Sequence, residues 1–285
     1  MPYNSVMQTK LGLVLSGGGV RGLAHIGVLK VLEKENITFD FIAGTSMGAI
    51  LGAAYVSGKK IEEIEDVALK FSRRTELIKL LDLSPRRRGL LEGHKVREFL
   101  GRFFGDITKF EQLKIPMAIN AVDLKTGKEI VFTSGELLPP IYASSAIPGL
   151  FSPVRFQNYF LVDGGVLNNL PVDRAREMGA EFIIAVNVHS EFTMESDPSL
   201  DQSGFTVRIP AFFRDSYNSL LIMMNEMTQQ RIKIARPEII LSPKMPPGFT
   251  SITGFTHTKD IIDLGSECAE SALVEIRRKL QVLNH

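Results

Sequence analysis

The chain has 285 residues, 44% apolar and 23% charged, with 33 basic against 32 acidic side chains and a formal net charge of +1. Such a composition is that of a folded globular protein. The balanced charge excludes an overall attraction to nucleic acid or to an anionic membrane and leaves only local patches for such contacts.

A single cysteine, Cys268, rules out an intrachain disulfide, and the fold needs no oxidising compartment. Met1 to Lys10 is polar and lacks the basic, apolar and small-residue succession of a secretory signal, so a cytoplasmic location is expected.

In chain order, Leu11 to Ser16 is a short apolar run ended by three glycines, which predicts a buried strand. A helix over Gly22 to Glu35 follows, with Leu23, Ile26, Leu29 and Leu32 at helical spacing. Ile37 to Ala43 reads as the next strand and Met47 to Ser57 as a helix of small residues. Phe41 to Gly58 carries no charge for 18 residues, but its four glycines favour a buried strand, turn and helix over a membrane span.

Lys59 to Phe104 reads as largely helical, with basic clusters at Arg73-Arg74 and, on a loop between Pro85 and Gly89, at Arg86-Arg87-Arg88. Met117 to Asp123 and Glu129 to Phe132 predict a hairpin across Lys125-Thr126-Gly127, and Leu138 to Ser145 a short helix. Tyr159 to Asp163 and Phe182 to Val188 read as strands. Residues 190–210 read as a mobile surface loop. A long helix over Phe212 to Ile234, a strand over Glu238 to Ser242 and a closing helix over Thr258 to Leu283 complete the chain. Alternating strands and helices without repeat or linker predict one three-layer α/β domain with a mostly parallel sheet.

Two turns carry the candidate chemistry. Gly17-Gly18-Gly19-Val20-Arg21-Gly22 also satisfies G-x-G-x-x-G, and Asp40 follows near where a dinucleotide fold would hold a ribose. A phosphate turn, an oxyanion hole and a tight structural turn are all compatible with it. The second turn, Gly44-Thr45-Ser46-Met47-Gly48, matches G-x-S-x-G between a strand and a helix, the context of a nucleophile elbow. Such a turn projects a serine oxygen clear of the sheet, beside the free N–H groups of a helix N-terminus.

An α/β-hydrolase with Ser, Asp and His in that order is one reading, but Ser46 lies on only the second strand and the histidines are poorly placed. His25 is inside the first helix, His94 precedes the acid candidate and His285 is the last residue. His189 and His257 sit in no loop motif of evident purpose. The acid candidate is Asp163, which ends an apolar strand and opens Asp163-Gly164-Gly165; an ordinary hairpin turn is its plainer explanation.

Together these motifs resemble the patatin-like phospholipases, in the bacterial branch related to neuropathy target esterase. Ala143-Ser144-Ser145-Ala146-Ile147-Pro148 with Phe151 and Pro153, and Asn169 with Pro171, fit the same pattern, so the resemblance spans about Gly12 to Asn187. It implies a three-layer α/β/α patatin-like fold over residues 1–285, its motifs within about 11–188 and a helical part from about 210 packed on them. It implies a Ser46–Asp163 dyad without histidine that cleaves carboxylic esters of phospholipids, lysophospholipids or related lipids. Gly17, Gly18, Gly19 and Met47 become the oxyanion hole, supported by Arg21, Gly22, Gly44, Gly48, Gly164 and Gly165. Asp163-Gly164-Gly165 departs from the Asp-Gly-Ala of plant patatins.

Neither metal nor cofactor is expected, since no ligand cluster is visible. The expected partner is a lipid ester, with peripheral contact at the inner membrane face and no nucleic acid; nothing in the sequence sets an oligomeric state. The apolar Leu220 to Met224 could line an acyl groove or touch a bilayer, although packing is the commoner role. The arginine clusters could meet anionic head groups or form a solvated face. Arg21 could steady its loop, meet a phosphate, or be a surface charge.

Overall fold

The computed structural model describes residues 9–80, 82, 89–189, 211–246 and 254–283. The Arg86–Arg88 cluster, the 190–210 segment and His285 lie outside them, as do the side chains of Phe212 and Phe213.

The framework is a sheet of eight strands. Five run parallel: β1 (Leu11–Leu15) between β2 (Phe41–Gly44) and β7 (Phe182–Val186), with β3 (Met117–Asp123) outside β2 and β8 (Ile239–Leu241) outside β7. β4 (Lys128–Phe132), β5 (Val154–Phe156) and β6 (Tyr159–Asp163) extend it through antiparallel pairings.

Both faces of the parallel strands are apolar, as in a sheet covered on two sides. Leu13 and Leu15 join Ile42, Ile119, Ile184 and Val186 in one layer, while Val14 joins Ala43, Ala118, Ile183 and Ala185 in the other. The first layer is covered by α1 (Ala24–Lys34), α2 (Met47–Val56), α3 (Ile61–Lys70) and α10 (Thr258–Leu283). α1 and α10 cross where Gly27 faces the Ile262 carbonyl and Gly265 the Ala24 carbonyl. The second layer is covered by α8 (Val172–Glu177) and α9 (Ala211–Ala235), through Val172, Ala175, Ile232 and Ala235. α4 (Arg74–Lys79), α5 (His94–Phe104), α6 (Leu138–Ser144) and α7 (Gly165–Asn168) complete the helices. The expected three-layer α/β/α architecture is therefore present.

Several boundaries differ from the sequence expectation. The stretch from Ile37 is not strand until Phe41: Ile37 and Phe39 are buried, but in a connection that follows the end of α1. The helix expected from Gly22 is preceded by a 3-10 turn over Gly19–Leu23, which tightens the chain leaving the glycines. β5, α7 and α8 were not foreseen. The charge-free Phe41–Gly58 stretch forms β2, a turn and α2, and among the described residues no helix is long and apolar enough to cross a membrane.

The register of β3 explains how the site assembles. β4 lies along one side of β3, with Ile119 opposite Phe132 and Ala121 opposite Ile130. On its other side β2 ends with Gly44 opposite Ile119, and β6 arrives from the opposite direction to end with Asp163 opposite Ala121. Two strand ends thus converge on Asn120, and the turns leaving them meet.

Candidate active site

Between β2 and α2 the chain reverses through Thr45 and Ser46. Ser46 takes φ 52° and ψ −122°, a left-handed conformation that costs a non-glycine residue about 1–3 kcal/mol. Its surroundings hold it there. The Ser46 N–H donates to the Ser144 hydroxyl at 2.8 Å, and the Thr45 N–H to the Leu15 carbonyl at 3.1 Å. The Thr45 hydroxyl donates to Asn120 Oδ1 at 2.7 Å, and the Asn120 amide donates in turn to the Asn168 carbonyl at 2.9 Å and to Glu129 at 3.0 Å. Gly22 lies against Met47, Gly44 against Gly48 and Gly164 against Asn120, each at a distance that leaves no room for a Cβ.

Asp163 ends β6 with its carboxyl buried. Burial pushes its pKa from 3.8 up to about 6, against the opposing pull of the Gly165 N–H, which donates to Oδ1 at 2.8 Å, and the smaller pull of the nearby Ser46 hydroxyl. A carboxylate near pH 6 is a usable base at neutral pH, whereas an ordinary aspartate is a poor one.

The glycine turn closes the third side. Gly17 donates its N–H to the Asn169 carbonyl at 3.0 Å, so this amide is occupied in holding the turn. In this structure the Gly17 N–H anchors the turn. Gly18 and Gly19 face the cavity that Ser46 and Asp163 line. The Met47 N–H belongs to the first turn of α2, where no intrahelical acceptor exists. The cavity measures about 20 Å³, room for about one water. Ile147 and Pro148 form part of its wall, and Tyr217, Leu220, Leu221 and Met224 of α9 cover it. The apolar α9 segment thus lies over the site, while Ile222 and Met223 next to it are exposed.

Neither rival site assembles among the described residues. Asp40 accepts from the Lys10 ammonium and the Leu11 N–H, each at 2.9 Å, at the start of β1, whereas the glycine turn leaves its far end. His189 does line the cavity, but Arg21 Nη1 donates to its Nδ1 at 3.1 Å. Removal from water, and then the Arg21 charge, push its pKa down to about 3 despite a bond to the Gly18 carbonyl. His25 is buried on the Ser16 carbonyl at 2.8 Å, and His94 and His257 pair with Arg97 and Asp260. Arg21 is 2% exposed, so it is not a surface charge. Among the described residues no three His, Cys, Asp or Glu side chains are grouped to hold a metal ion.

Sequence reading missed Ser144, Asn120 and His189 as parts of the site. Ser144 was visible only as one residue of the Ala143–Pro148 segment.

Comparison with known proteins finds likenesses of sequence and of fold. The patatin-like phospholipase family model matches residues 13–176. The lysophospholipase NTE1 of Scheffersomyces stipitis is 36% identical over 182 residues, which are 63% of this chain and 12% of that protein. An uncharacterized NTE family protein of Mycobacterium tuberculosis is 35% identical over 192 residues, 67% of this chain and 52% of that one. The chain thus spans about half, or much less, of the length of these relatives. VipD from Legionella pneumophila superposes with a TM-score of 0.56 at 12% identity, covering 93% of this chain and 67% of that chain, a likeness of fold alone.

Proposed function

The chain belongs to the patatin-like phospholipase family, and from that membership we propose that it is a serine lipid acyl hydrolase with Ser46 as nucleophile and Asp163 as its base. The observation that carries this reading is a buried carboxylate raised to about 6 that lines one cavity with Ser46 and the Gly18–Gly19 turn.

Ser46 Oγ attacks the ester carbonyl carbon while its proton passes to Asp163. The oxyanion is held by N–H groups of Gly18, Gly19 and Met47, a contribution of roughly 3–4 kcal/mol per donor in other hydrolases. Asp163 returns the proton to the departing alcohol, leaving an acyl-Ser46. Water gives a proton to Asp163 and attacks the acyl carbon, and Asp163 passes that proton to the departing Ser46 Oγ, releasing the fatty acid and restoring the serine hydroxyl and the carboxylate.

Lipids are the substrate class supported by the family, and the NTE1 relative, itself called a lysophospholipase, makes lysophospholipids the first to test. The cover of α9 has to move or repack to admit an acyl chain, because about 20 Å³ takes only a water. Exposed Ile222 and Met223 beside it support peripheral contact with a lipid surface. On this reading the chain is one domain, with the helices beyond about 210 packed on the motif-bearing part, as the crossing of α10 with α1 supports.

The test is fatty-acid release from a lysophospholipid together with labelling by a fluorophosphonate probe. Wild type is expected to do both. Ser46→Ala is expected to do neither, and Asp163→Asn to lose turnover, with circular dichroism unchanged. Turnover by Ser46→Ala at the wild-type rate overturns the assignment.

A further inference from the structure

Among the residues that line the cavity is a half-buried histidine that the mechanism does not use. His189 lies just beyond the end of β7, in a turn packed against the three-glycine bend. The Ser16 N–H donates to the Val186 carbonyl at 3.0 Å, the Val188 N–H to the Ser16 hydroxyl at 3.1 Å, and the His189 N–H to Asn187 Oδ1 at 3.1 Å. A Cβ on Gly18 would fall 2.3 Å from Val188 Cγ2 and 3.4 Å from His189 Cδ2, so the two turns interlock at the residue that offers an oxyanion donor.

The ring itself has a defined protonation pattern. Arginine can only donate, so the 3.1 Å contact from Arg21 Nη1 takes the Nδ1 lone pair and leaves the imidazole proton on Nε2. The Gly18 carbonyl accepts from the imidazole and also from the Arg21 N–H, the latter at 3.1 Å. Arg21 thus holds the Gly18 carbonyl twice, once through its own backbone and once through His189.

We infer that His189 is a positioning residue for the oxyanion turn: its Nε2–H fixes the Gly18 carbonyl, and Arg21 on Nδ1 fixes the ring. The Gly19 N–H, which shares its peptide plane with the Gly18 carbonyl, is thereby kept aimed at the cavity beside Ser46. This role differs from that of a general base. With Nδ1 accepting from a guanidinium and Nε2 protonated, the ring has no lone pair with which to take the Ser46 proton. Low pH does not convert it readily either, since burial and Arg21 both oppose its charge.

The inference rests on the hydrolase reading, so its test includes Ser46→Ala as a control. Glutamine carries both an N–H donor and an oxygen acceptor but takes no proton near neutral pH. It therefore separates positioning from base catalysis. With p-nitrophenyl butyrate as substrate, His189→Ala is expected to lower kcat roughly 10- to 100-fold with KM within about 2-fold, the effect of a misaligned rather than absent donor. His189→Gln is expected to recover most of that loss and to keep the wild-type pH profile.

A His189→Gln enzyme as inactive as His189→Ala would show that the imidazole itself is required, and would overturn the positioning role in favour of a base. Wild-type kcat in His189→Ala would overturn it as well. Should His189→Ala fail to fold, the glutamine variant decides alone. Wild type that cleaves the ester while Ser46→Ala does not, combined with either contrary result at His189, removes this inference and leaves the hydrolase reading standing. Wild type and Ser46→Ala that behave alike remove both.

Discussion

The backbone N–H of Ser46 donates to the Ser144 hydroxyl at 2.8 Å, a bond across 98 residues that ties the turn after β2 to the end of α6. Both residues are buried, Ser144 completely. A turn held at φ 52° needs such an anchor, because without it the donor is left unpaired away from water. Ser144→Ala is expected to destabilise the fold by about 1–3 kcal/mol in urea unfolding. It is also expected to reduce kcat, since the elbow is then free to relax. Stability and kcat both equal to wild type would show that the bond is dispensable.

The Asp163 carboxyl makes a prediction of opposite sign for activity and for stability. Activity needs the ionised base, so kcat/KM is expected to rise with pH through an apparent pKa of about 6 and then level off. For stability, the folded value of about 6 lies above the unfolded 3.8. Between those pH values the folded chain keeps a proton that the unfolded chain has released. The group therefore favours folding at low pH, and that contribution is lost as pH rises through 6. The difference of about two units corresponds to roughly 3 kcal/mol. Asp163→Asn, whose Oδ1 still accepts from Gly165, is expected to be more stable than wild type above pH 7 and equal to it near pH 4. Parallel stability curves for the two proteins across that range would contradict the raised value.

How much of this was legible in the sequence depends on how local each signal is. β1 and β7 are continuous apolar runs because both their faces are covered, β3 is apolar but for Asn120 and its terminal Asp123, and their reading succeeded. Ile37 to Asp40 misled because burial imitates a strand. β5 has three residues with Arg155 at its centre, and α7 is a single turn, too short for periodicity to register. The two chemical turns were legible because a strained elbow and a close-packed glycine bend restrict residue type. Ser144 and His189 were not, since each acts across a separation of 98 or 168 residues that no local pattern encodes. Gly17 was legible as part of the turn, but only the Asn169 carbonyl on its N–H reveals that it anchors the turn.

Gly48 and Gly101 both lie in helices, yet their replacement by alanine is expected to act in opposite directions. A Cβ on Gly48 would stand 2.3 Å from the Leu15 carbonyl oxygen and 2.6 Å from that of Ser16, backbone atoms of the central strand and its extension that cannot move aside. On Gly101 in α5 the nearest neighbour would be the Tyr142 hydroxyl at 3.9 Å, an ordinary contact. Gly101→Ala is therefore expected to stabilise by about 0.5–1 kcal/mol through helix propensity. Gly48→Ala is expected to destabilise by more than about 3 kcal/mol and to abolish turnover, because overpacking here displaces Ser46. Thermal unfolding of the two variants distinguishes them, and a Gly48→Ala protein of wild-type stability would mean that β1 and α2 are less closely apposed.

The cover over the site offers the last test. Leu221 is 5% exposed and lines the cavity with Ser46, so it is packed on the chemistry as well as on the core. Leu221→Ala removes three carbons from the wall of a space of about 20 Å³, and truncation of a buried leucine costs about 2–5 kcal/mol. If α9 restricts entry, the same change admits larger acyl groups without further motion. Long-chain p-nitrophenyl esters are then expected to gain in kcat/KM relative to the acetate, even as the melting temperature falls. Exposed Ile222→Ala, one position along, is expected to change neither the melting temperature nor the chain-length ratio, because its side chain faces away from the cavity. A chain-length profile in Leu221→Ala identical to wild type would mean that acyl chains enter by a route that α9 does not cover.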